Sequence, residues 1–119
     1  MKHQEFFSRV ADRSGLTRQE SSDISRATLL AMADRISGGA ARELASHLPD
    51  RLAEPLRSGD EPAKQYDMDV FAHRVRRHAG LSSHDTASGL TAVLMTLRDA
   101  APEAADDAIS QLSKKFPAA

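Results

Sequence analysis

Apolar residues recur along this chain at helical rather than strand spacing. Phe6 and Val10 lie four apart, as do Phe7 and Ala11, so two adjacent stripes make one broad apolar face. That spacing predicts a first helix over about Gln4–Ser14, stopped by Gly15 as a C-terminal cap residue. Thr17-Arg18-Gln19-Glu20 has the form of a capping box: the Thr side chain caps a new helix and Glu20 reaches back to the Thr17 N–H. The second helix then runs to about Ile36, with Leu29, Met32, Ala33 and Ile36 at i, i+3, i+4 and i+7 as its core-facing stripe. Ser37-Gly38-Gly39 breaks the pattern. A third helix follows, with Ala41, Leu44, Ala45 and Leu48 at the same spacing. Pro49 ends it and can occupy the first position of a short fourth helix, with Leu52 and Leu56 inward.

Residues 57–66 read as a linker, holding Gly59, Pro62 and charged side chains without apolar periodicity. The helical pattern restarts near Asp67, which suits an N-cap. From there the chain resembles its own first half. At a displacement of 65 residues there are eight identities between Phe6 and Asp34: Phe6/Phe71, Arg9/Arg74, Val10/Val75, Gly15-Leu16/Gly80-Leu81, Ala27/Ala92, Leu29/Leu94 and Asp34/Asp99. Thr17 and Glu20 become Ser82 and Asp85, so the capping chemistry is kept by type. Leu90, Val93, Leu94, Leu97 and Ala101 mark the core face of the second long helix. Pro102 opens another helix, with Ala105, Ala108, Ile109, Leu112 and Phe116 inward.

The register points to an internal duplication: residues 4–56 as a first repeat and 67–116 as a second. Each alone would bury its apolar face poorly. The two are therefore expected to pack as one all-α domain over residues 1–119. The expected architecture is a compact bundle of about seven to eight helices with pseudo-twofold symmetry. Composition agrees with the helical reading: twelve Leu and twenty Ala stand against four Val and three Ile.

One segment has a distinctive form. Phe6-x-x-x-Val10 and Gly15-Leu16 lead to Ala33-Asp34-Arg35-Ile36-Ser37-Gly38-Gly39, then Ala41-x-x-Leu44-x-x-x-Leu48-Pro49. With Phe71-x-x-x-Val75 and Gly80-Leu81 repeated, the chain resembles the bacterial family catalogued as domain of unknown function 2267, over about Gln4 to Phe116. The second half departs from the pattern, with Ala101-Pro102-Glu103 in place of a Ser-Gly-Gly break. The resemblance implies a cytoplasmic bacterial protein of the same helical fold, without an assigned activity, in a family some of whose members look stress-associated. Residues 5–36 have a weaker likeness to the first two helices of the histone-like HU proteins. The strands and basic arms with which HU grips DNA have no counterpart in this sequence.

Charge narrows the functional classes. The 119 residues carry 16 Lys and Arg against 17 Asp and Glu, a net charge of −1, and neither half has a basic excess. Nucleic-acid binding rests on phosphate contacts and usually shows a basic stripe. Arg74, Arg76 and Arg77 are the local basic cluster and the candidate nucleic-acid contacts, but on a helix they spread around the axis. The absence of cysteine removes disulfides, a thiolate nucleophile and cysteine-based zinc sites, and fits a reducing cytoplasm. No apolar run reaches the length of a membrane span, so no membrane partner is expected.

Candidate chemistry is thin. His73 and His78 are five apart, off the i, i+4 spacing of a helical metal site. Ser82-Ser83-His84-Asp85 places three triad residue types in a row, but a triad needs them converging in space, and consecutive helical residues diverge by about 100°. The segment reads as a capped helix start. Ser37, Gly38, Gly39 and Arg42 are the candidate anion site: a glycine turn before a helix N-terminus, where free N–H groups attract anions, with Arg35 and Arg42 on either side. The turn lacks the Gly-Lys-Ser/Thr of a nucleotide loop. No catalytic residue, metal ligand or cofactor is assigned.

The expected function is a non-enzymatic module that binds an unidentified protein partner or itself, through an apolar groove between the two repeats. The alternatives are a nucleic-acid-associated protein with an HU-like hairpin, and a sensor of small anions at Ser37-Gly38-Gly39.

Overall fold

In the computed structural model, residues 1–57 and 68–113 are described. They form seven α-helices: α1 (His3–Ser14), α2 (Arg18–Arg35), α3 (Gly38–Ser46), α4 (Asp50–Leu56), α5 (Met68–Ala79), α6 (Ser83–Ala100) and α7 (Pro102–Ser113). No strand occurs among the described residues. The expected inward positions of Phe116 and the N-cap at Asp67 lie outside the described residues, as does nearly all of the 57–66 linker.

Local chemistry sets the helix boundaries where the sequence placed them. Gly15 takes a left-handed φ of 76° and its N–H donates to the Ala11 carbonyl, closing α1. Gly80, 65 residues on, has a φ of 70° and donates to the Arg76 carbonyl at 2.9 Å. A side chain at these φ values costs about 1 kcal/mol or more, so glycine is the natural stop. Thr17 Oγ1 accepts from Glu20 N–H at 3.1 Å, and Thr17 N–H donates to Glu20 Oε1 at 2.9 Å, the full capping box. Ser82 caps α6 alone, accepting from Asp85 N–H at 3.1 Å. Pro49 does not occupy the first helical position. It is the N-cap of α4, and its carbonyl accepts from Leu52 and Ala53 N–H.

α1 and α5 are both 12 residues long, and α2 and α6 both 18, with starts 65 residues apart in each case. Their packing is reciprocal. α1 lies more extensively on α6 than on its neighbour α2, and α5 more extensively on α2 than on its neighbour α6. The long helices α2 and α6 cross each other between them. One hydrophobic cluster results, drawing Phe6, Val10, Leu29, Met32, Leu44 and Leu52 from the first half and Phe71, Val75, Val93, Leu97 and Leu112 from the second.

The identities between the halves mark this arrangement. Phe6, Phe71, Val10 and Val75 are all fully buried. Arg9 Nη1 donates to Asp99 Oδ2 at 3.1 Å, tying α1 to α6, and Arg74 Nη1 sits 3.9 Å from Asp34 Oδ2, tying α5 to α2. It is the same pair of positions, used twice in opposite directions. Ile24 and Gly89 are likewise 65 apart and touch each other. A Cβ on Gly89 would stand 2.7 Å from Ile24 Cδ1 and 3.0 Å from Leu16 Cδ1.

α2 is more deeply enclosed than its single predicted stripe implies. Besides Leu29, Met32, Ala33 and Ile36, the fold buries Ser21, Ser25, Thr28 and Arg35, because α1, α4, α5 and α6 surround the helix. Ser25 Oγ donates to the Ser21 carbonyl at 2.6 Å, and Thr96 Oγ1 to the Ala92 carbonyl at 2.7 Å, so small hydroxyls enter the interior by bonding back to their own helix. α4 lies on α2 and α3 and inserts Leu52, Ala53 and Leu56. No helix among the described residues takes the corresponding place on α6 and α7.

Candidate functional site

The Ser37–Arg42 segment forms a capped helix start. Ser37 Oγ accepts from Ala40 N–H at 3.1 Å, and Ser37 N–H donates to Gln111 Oε1 of α7 at 2.7 Å. Two of the polar groups that would greet an anion are thus engaged within the protein. Gly38 and Gly39 lie inside α3, and Arg42 is exposed one turn on. Arg35 does not flank the turn at the surface: it is buried, at 3% exposure.

The basic cluster of α5 divides around the helix as its spacing predicts. Arg74 is half-buried beside Asp34, Arg76 Nε donates to the Leu81 carbonyl at 3.3 Å, and Arg77 is exposed. The three do not share a face. His73, His78 and His84 are all exposed. No group of three or more His, Asp or Glu side chains gathers at metal-binding distance among the described residues.

The arginines do more at the opposite end of the exchange. Asp99 accepts from Arg9 Nη1 and pairs with Arg13 Nη2 at 2.7 Å, while Arg13 Nη1 donates to the buried Thr96 Oγ1 at 2.9 Å. Desolvation works against the charged carboxylate. The hydrogen bonds from Arg13 and Arg9, with their positive charges, outweigh it and hold the Asp99 pKa below its usual value. Arg9 also pairs with Glu5 one turn back at 2.8 Å. This network joins helices, and its partners are all the protein's own.

Two clefts remain. The smaller, about 230 Å³, runs between α5 and the start of α6, with Asp69, His73, Arg76, Ser83 and Thr86 among its walls. The larger, an open cleft of about 410 Å³, lies where α2, α4 and the last turn of α5 meet. Ala27, Leu30 and Pro55 give it apolar surface, and Asp23, Arg26, Glu54 and His78 surround them. Because α5 belongs to the second half, this is a groove at the junction of the halves, but its lining is mixed rather than apolar. Asp23 is held in place by Gln19, whose Nε2 donates to Asp23 Oδ1 at 3.0 Å.

Leu30 is the residue that sequence reasoning passed over. It is 36% exposed, and its counterpart 65 residues on, Met95, is 47% exposed, the largest value among the big apolar side chains. The signal was present as a doublet. Leu29-Leu30 and Leu94-Met95 place two apolar residues side by side on a helix, about 100° apart, so one of each pair falls outside the core stripe.

Comparison with known proteins gives one family. Residues 3–118 match the family described as an uncharacterized conserved protein, DUF2267, and the chain belongs to it. Neither the curated proteins nor the solved structures contain a match. No helix among the described residues is long and apolar enough to cross a membrane.

Proposed function

We propose that this DUF2267 chain is a small non-enzymatic interaction module, built from two copies of one helical unit, that binds another protein at the cleft between α2, α4 and α5. The observation that carries this reading is Leu30, held out of the core on the cleft wall beside Pro55 and Ala27. An apolar patch inside a charged rim is the usual make-up of a helix or peptide contact, where apolar anchors supply affinity and rim charges set orientation. The non-enzymatic part of the proposal comes from the sequence, in which no nucleophile, base and orienting group share a usable spacing. The cysteine-free composition supports action in the cytoplasm.

The test is a tagged pull-down from native lysate, with nuclease-treated and untreated halves, using the wild type and Leu30→Glu. Leu30 is exposed enough for the substitution to leave the core intact. The proposal expects a partner that survives nuclease and moderate salt and is lost with Leu30→Glu. A catch that disappears with nuclease would establish nucleic-acid association instead. Equal capture by both chains would remove the cleft from the account.

A further inference from the structure

The two halves differ most in what covers their outer faces. In the first half, α4 lies across α2 and α3, and its Leu52, Ala53 and Leu56 are buried. Leu29 of α2 and Ala45 of α3 are buried in that half, at 0% and 2% exposure. The corresponding positions of the second half are Leu94 of α6 and Ile109 of α7. The match on α7 follows from the burial pattern: Ala40, Ala41, Leu44, Ala45 and Leu48 align with Ala104, Ala105, Ala108, Ile109 and Leu112. Leu94 and Ile109 pack against the core yet are only partly buried. Met95 stands beside Leu94. Arg98, where the first half has the buried Ala33, instead reaches across to α7, with Nε 2.7 Å from Asp106 Oδ1. The second half therefore has the seat of an α4 with no described helix in it.

We infer that the groove between α6 and α7 docks a short amphipathic helix supplied by a protein partner. That helix would resemble α4: about two turns, with two leucines four residues apart on its inner side. The molecule contains its own template for this contact. α4 shows that this surface, in its first-half form, is completed by such a helix, with leucines inward and Asp50, Arg51 and Glu54 outward. A helix this short has little stability alone and is ordered by the apolar face it buries. The inference rests on the interaction-module reading in taking the occupant from a protein, but it concerns a different face, and its test does not involve Leu30.

The experiment uses the full chain extended after residue 119 by a flexible Gly-Ser linker and a second copy of residues 48–57. A flexible tether holds that segment at roughly millimolar local concentration, so even weak docking is visible. A control carries the same extension with both its leucines replaced by aspartate. Docking predicts amide and methyl shifts in ¹⁵N- and ¹³C-edited spectra clustered around Leu94, Ile109 and Arg98, and a higher melting temperature than the control. Spectra identical to the control would overturn the inference, whether the groove is unreceptive or is filled by residues 114–119. Shifts centred on Leu29 and Ala45 would overturn it too, because the added segment would then be displacing α4. Loss of Leu30-dependent capture in the pull-down would leave this result unchanged, so the two readings fail separately.

Discussion

Gly89 shows at the scale of one residue how the halves fit. Positions 24 and 89 are the same position of the two halves, and they meet where α2 and α6 cross. Two isoleucines there would collide, and two glycines would leave a void. An Ile–Gly pair fills the space once. Gly89→Ala is therefore expected to lower stability by about 1–3 kcal/mol through overpacking, against the roughly 1 kcal/mol that a helical Gly→Ala change normally adds. Ile24→Val in the same chain removes the nearest methyl and should restore part of the loss. Urea unfolding of the two single variants and the double variant measures this; a Gly89→Ala chain more stable than wild type would refute the close fit. Asp99 gives a second residue-scale prediction. Its folded pKa lies below its unfolded value, so the unfolded state binds more protons as the solution is acidified. Its contribution is complete above the ordinary carboxylate range and is lost as pH falls through the folded value. Asp99→Asn should thus be less stable than wild type at pH 7, and the gap should close below about pH 4. Unfolding curves across that range decide it; a gap that does not change with pH would show that the charge is not what matters.

At the scale of the helix, the sequence is most informative where structure is decided within one turn. Gly15, Gly80, the Thr17–Glu20 box and the Ser82 cap were all legible because each satisfies its own neighbours' backbone groups. Thr17→Ala should cost about 1 kcal/mol, and Ser82→Ala a similar amount or less, since Ser82 lacks the reciprocal bond. Thermal unfolding compares them; no change at Thr17 would mean that packing alone holds the start of α2. Burial around a central helix was less legible. Ser21, Ser25 and Thr28 are polar in composition and lie off the apolar stripe, yet four helices enclose them. Small side chains permit that closeness, and a periodicity of large apolar residues does not register it. The site was harder still. A glycine turn and an arginine cluster attract attention as motifs, but Ser37 is engaged by Ala40 and Gln111, and Arg74 and Arg76 by Asp34 and Leu81. The exposed Leu30 and Met95 carry no motif. They are visible only as apolar residues one step away from the face that the fold buries.

At the scale of the whole molecule, the halves are joined by exchange rather than by simple contact. Each short helix rests chiefly on the long helix of the other half, so neither half keeps a complete core when separated. The arrangement also leaves the outer faces free to differ: one is closed by α4, the other presents Leu94, Met95 and Ile109. Function is then expected on those outer faces and at the junction cleft, while the symmetric interior holds them in place. The central claim is that exchange, and the most direct test is circular dichroism of residues 1–57 and 65–119 as separate peptides, alone and mixed one to one, through a thermal melt. The account predicts weak helicity and no cooperative transition in either peptide alone, with both restored on mixing, because Ile24 of one half needs the Gly89 gap of the other. Two peptides that each fold cooperatively alone, and whose mixture melts as the sum of its parts, would contradict it.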